Sequence, residues 1–107
     1  METLLGDDIE SRRDAARGLY HKYTVVRTDG GSEPGQKHEN CRYFVLDLDH
    51  DPFAHVALEA YERACLNYYP KLAIDLVKLR SDIEESATPE FQQQIHDASK
   101  RLIIRQA

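Results

Sequence analysis

The stretch GQKHENCRYFVLDLDHDPFA, residues 35–54, sets His38, Cys41, Asp47, Asp49, His50 and Asp51 around the most hydrophobic run of the chain. Three chemistries suit those residue types. The first is metal binding: His38, Cys41 and His50, with Asp49 or Asp51, offer donors soft enough for zinc. No paired Cys-x-x-Cys motif or clear fourth ligand supports it, so no metal is assigned. The second is anion binding. Gly30, Gly31 and Gly35 let backbone amides approach a ligand, and Arg27, Lys37, His38, Asn40 and Arg42 flank them with donors. Arg27, Lys37 and Arg42 would pair with phosphate, His38 and Asn40 would hydrogen-bond, and His50 completes the candidate ligand-binding set. The plainer reading of the same residues is an exposed turn whose charges keep it in solution.

The third is acid–base or nucleophilic catalysis. Asp47, Asp49 and Asp51 alternate, so an extended chain would put them on one face beside His50, and Cys41 could act with a histidine. Each has a simpler role. Asp51 suits a helix cap, Asp47 and Asp49 suit the solvent side of a strand where charge discourages edge pairing, and Cys41 can pack as a small apolar group. No Walker loop, nucleophile elbow or dinucleotide fingerprint occurs. The chain reads as a protein that binds without turnover and needs no cofactor.

These residues must be positioned by the surrounding elements. The segment DIESRRDAARGLYHK, opening at Asp7 or Asp8, has a loosely helical pattern. KYTVVRT reads as a strand entering the turn-rich DGGSEPGQ, and CRYFVLDLD as a second strand. In that second strand Phe44, Leu46 and Leu48 would share one face, and Tyr43, Val45 and Asp47 the other. A lone hairpin is marginal in water, so it should lie on helices or pair with another subunit.

Helix signals follow. Asp51 and Pro52 stand at N-cap and N1 of a segment whose Phe53, Val56 or Ala57, Ala60, Ala64 and Tyr68 recur at helical spacing. Pro70 breaks that helix and opens PKLAIDLVKLRSDIEE, with Leu72, Leu76, Leu79 and Ile83 marking its inner face. Thr88 and Pro89 open a last helix with Phe91, Ile95, Ala98 and Leu102 on one side. The expected fold is therefore α+β, a β-hairpin packed on three to four helices in the order α-β-β-α-α-α. Tyr61, Tyr68 and Tyr69 read as core or interface rather than a base-stacking surface, and His21, His55 and His96 as surface or boundary histidines.

At 107 residues the chain is one domain in length and buries only about 60–68% of its unfolded surface, so self-association into a homo-oligomer would help it. Hydrophobic residues at 41% and charged residues at 31% exclude both a disordered tail and a membrane protein. The net charge of −5 opposes a broad duplex-DNA-binding face, although a local basic cluster can still hold a small anion. METLLGDDIESRRDAARG has acids where a secretory signal needs bases, and two cysteines are too few for a disulfide scaffold. A cytosolic address with free thiols is expected.

The string YTVVRTDG…PGQKHENCRYFVLDLDHDPFAHVALEAY…YPKLAIDL, from Tyr23 to Leu76, resembles a family of small proteins encoded by tailed phages and prophages. Those proteins share a Gly–Lys–His loop, a Tyr–Phe–Val–Leu–Asp segment and a His–Asp–Pro turn into an alanine-rich helix. The resemblance implies a family-like core over 22–84, with 1–21 and 88–107 as terminal helical extensions. It also implies an accessory role in the host cytoplasm, countering host defence by sequestering a nucleotide-derived signal or by docking on a host defence protein. A small metal-dependent enzyme is the remaining alternative.

Overall fold

A computed structural model describes residues 18–19 and 22–104, without the side chains of 102–104. The chain divides into two compact units, one ending at residue 45 and one running on from residue 46. The second unit holds three helices: α1 (Pro52–Cys65), α2 (Pro70–Ser86) and α3 (Pro89–Ile104). Helix α1 packs against both others.

Local chemistry starts each helix. The Asp51 carboxylate accepts the Phe53 amide hydrogen at 2.9 Å, and Pro52 follows where its lack of an N–H is harmless. Tyr69, pushed out of the helical region by Pro70, stands at φ −131°, ψ 66° and ends the α1 turn as α2 begins. The Thr88 hydroxyl accepts from Phe91 N at 3.1 Å at the head of α3. Gln92 Nε2 then donates to the Glu84 carbonyl at 2.7 Å, satisfying one of the acceptors that the end of α2 leaves open.

The core is small and partly polar. Ala54, Cys65, Ala73, Ile95 and Ala98 are buried, together with Pro52, His55 and Glu62. Glu62 is 4% exposed, and both its oxygens accept from Arg80 of α2, from Nε at 2.6 Å and from Nη2 at 2.8 Å. That fork holds the Arg80 guanidinium above its ordinary pKa and fastens α1 to α2. His55, 1% exposed, donates from Nε2 to the Leu48 carbonyl at 2.7 Å. Its ring also meets Phe91 of α3 edge-on, at 5.8 Å between centroids. The His55 reading as a surface or boundary residue is thereby corrected.

The buried side of α1 also differs from the alanine stripe. Phe53 and Tyr68 are exposed, while Ala54, His55, Glu62 and Cys65 turn inward, because the two polar side chains find partners there that alanines do not need. Tyr61 and Tyr69 are exposed too, so none of the three tyrosines is core.

The α+β expectation is overturned. Among the described residues there is no strand, and the chain is all-helical where it has regular structure. KYTVVRT and CRYFVLDLD run without a ladder, and Val26 and Phe44 remain 67% and 73% exposed. β-branched and aromatic residues favour strands when they fit a half-buried pleated surface, and these have no such surface. The order α-β-β-α-α-α falls with the hairpin. Its first helix lies almost entirely outside the described residues; Gly18, which is described, stands at φ 67°.

Candidate functional site

Where a flexible hairpin loop was expected, residues 27–41 form a run of hydrogen-bonded turns. Amides of Gly30, Glu33, Gln36 and Glu39 donate to the carbonyls of Arg27, Gly30, Glu33 and Gln36 in turn, so each turn starts where the last one ends. His38 N then reaches the Gly31 carbonyl at 2.9 Å and closes the run on itself. Gly30 and Gly35 supply the positive φ values, 78° and 86°, that this path requires.

Of the donors expected to hold an external anion, Arg27 and the amides of Gly31 and Gly35 already hold the chain's own carboxylates. Arg27 forks onto Asp29, with Nε to Oδ1 at 3.0 Å and Nη2 to Oδ2 at 2.6 Å, and Gly31 N donates to the same Oδ1 at 2.8 Å. The Arg27 bond, then the Gly31 amide, hold the Asp29 carboxyl well below the usual range, and Asp29 in turn raises the Arg27 guanidinium. Gly35 N donates to Glu39 Oε1 at 2.9 Å. Lys37, Asn40 and Arg42 are exposed. His38 is turned to Cys41, with its Nδ1 3.1 Å from the sulfur.

His50 belongs to the other unit, with Asp47, and its Nδ1 donates to Asp47 Oδ2 at 3.0 Å. Asp47 Oδ1 accepts from Asp49 N at 3.0 Å, and the Asp47 carbonyl accepts from Asp51 N at 2.9 Å. Partial burial pushes the Asp47 carboxyl up, but the His50 bond and the Asp49 amide outweigh it and leave the group below its ordinary value. The three aspartates thus shape a turn and cap α1. Among the described residues no group of three or more His, Cys, Asp or Glu side chains is placed to hold a metal ion.

No family model, curated protein or solved structure matches this chain.

Sequence reasoning missed the groove between α1 and α2. Glu59, Glu62, Arg63 and Leu66 line one side, and Ala73, Ile74, Val77 and Arg80 the other, around about 280 Å³. One end is apolar: Leu66, Ile74 and Val77 are exposed around the buried Ala73. At the other end Arg63 pairs with Glu59 at 2.7 Å beside the Glu62–Arg80 fork. Helix α2 sets Lys71, Asp75, Lys78, Asp82 and Glu85 on one side and spreads its apolar residues over the rest of its circumference, yet it buries only Ala73. Of its expected inner face, Leu72 and Leu79 are exposed, and Leu76 and Ile83 are half-buried. The available signal was an apolar arc wider than the Leu72–Leu76–Leu79–Ile83 stripe, since Ile74 and Val77 extend it beyond what one packing face needs. No helix among the described residues is long and apolar enough to cross a membrane.

Proposed function

We propose that this chain is a non-enzymatic binding module that docks on a second protein through the α1–α2 groove and the exposed face of α2. One observation carries the reading: α2 exposes Leu72, Ile74, Val77 and Leu79, with Ile74 at 62%, and buries a single residue. Of these, Ile74 and Val77 gather with Leu66 in the groove, and exposed apolar surface gathered in this way marks interaction sites. The groove suits an amphipathic helix, with an apolar side chain over Ala73 and polar groups set against the Glu59–Arg63 pair to fix register. The resemblance to small phage and prophage proteins supports a host protein as the partner, in the host cytoplasm, and free Cys41 and Cys65 agree with that compartment.

The test is site-specific photocrosslinking in host cells, with the reactive residue at position 74 or, as a control, at the exposed Glu85. The expected result is one adduct band from position 74, absent from position 85 and lost in Val77→Asp. Equal labelling from both positions would reject the groove. An adduct of twice the chain mass would make the occupant a second copy.

A second reading keeps the anionic, nucleotide-derived ligand at the turn run. It is favoured by the Gly31 and Gly35 amides, which already accommodate carboxylate oxygens, and by exposed Lys37 and Arg42. Arg27 would have to leave Asp29 to join it, which makes it the weaker reading. It requires that Lys37→Ala with Arg42→Ala abolish nucleotide binding in titration.

A further inference from the structure

We propose that Cys41 and His38 form a nucleophile–base pair that makes Cys41 a site of thiol–disulfide exchange with small disulfides. The pair is preformed: His38 Nδ1 lies 3.1 Å from Cys41 Sγ. Backbone bonds hold both residues, from His38 N to Gly31 O at 2.9 Å and from Cys41 N to His38 O at 3.4 Å. The imidazole also rests against Gly31, where an added Cβ would lie 3.3 Å from His38 Cδ2. Its direction is thus set by the turn run. Cys41 is exposed, so a disulfide can reach it.

Cys65 has none of these features. It is 7% exposed, and its thiol points at the Glu62 carbonyl 3.8 Å away, with no base hydrogen-bonded to it among the described residues. The two cysteines therefore form an internal comparison between a poised thiol and an inert one.

The step balances without another reactant. The Cys41 proton passes to His38 Nδ1, and the sulfur attacks one sulfur of the disulfide. A new S–S bond forms to Cys41 as the old one breaks. The expelled thiolate then takes up a proton, leaving the protein as a mixed disulfide. Such a mark on an exposed loop is reversible by any excess thiol, which suits a switch on binding.

The experiment uses the full chain and a chromogenic aromatic disulfide at neutral pH, with a chelator present. One sulfur should react fast and the other only on unfolding, and Cys41→Ser should remove the fast phase. His38→Gln should slow that phase roughly tenfold, to the rate of a cysteine in an unstructured peptide. Denaturant should erase the difference between wild type and His38→Gln, which separates alignment by the fold from mere accessibility. An unchanged fast phase in folded His38→Gln, confirmed by circular dichroism, would overturn the proposal. So would a wild-type rate equal to that of the peptide.

Discussion

Replacing Arg80 with methionine tests the interaction that joins α1 to α2. Methionine keeps the length and most of the volume of the side chain but leaves the Glu62 carboxylate, 4% exposed, without its two donors at 2.6 and 2.8 Å. Removing one partner of a buried pair costs about 3–5 kcal/mol. The Arg80 side chain is 18% exposed, so some water already reaches the pair, and the low end, about 3 kcal/mol, applies. Out of a total stability of about 5–15 kcal/mol that is a large fraction, and it corresponds to a fall in Tm of roughly 10–20 °C.

The assay is urea unfolding followed by far-UV circular dichroism, which reads the unit containing all three described helices. Arg80→Met should lower the midpoint without changing the slope. Glu62→Met should cost about half as much, because Arg80 can turn to solvent, and the double variant should lie within about 1 kcal/mol of wild type. A loss below about 1 kcal/mol in Arg80→Met, or a double variant whose loss equals the sum of the singles, would refute the assignment of the fork as the α1–α2 fastener.

Two further outcomes test the turn before α1. His55→Phe keeps the ring against Phe91 but deletes the donor to Leu48 O. It also removes Nδ1, which is buried without a partner; the net loss should be about 1–2 kcal/mol, and an unchanged urea midpoint would discard the role given to that bond. Asp47→Asn should destabilise at neutral pH. The folded carboxyl is held below its ordinary value of 3.8, so its contribution is complete above that pH and disappears as pH falls through the lower folded value. The gap between wild type and Asp47→Asn should therefore close in acid, and a gap that persists or widens there would contradict the sign.

What the sequence determined by itself was local. Asp51–Pro52, Tyr69–Pro70 and Thr88–Pro89 announce the three helix starts because a cap and a proline act within one turn of chain, whatever lies around them. The α3 face was legible for the same reason, with Ile95 and Ala98 buried as their spacing implies. The glycines and cations of the loop were visible as types. That Asp29 would take the Arg27 fork, and that His38 would turn to Cys41, depended on how successive turns folded over one another.

Only the tertiary structure decided the rest. TVV and YFVL carry strand propensity, but a strand exists through its neighbours, and no ladder forms among the described residues. The buried side of α1 was set by Arg80, 18 residues beyond Glu62, and by the Leu48 carbonyl, seven residues before His55. A charge or an imidazole is buried only when a partner arrives to satisfy it, and periodicity along one helix carries no information about which residue on another element will do so.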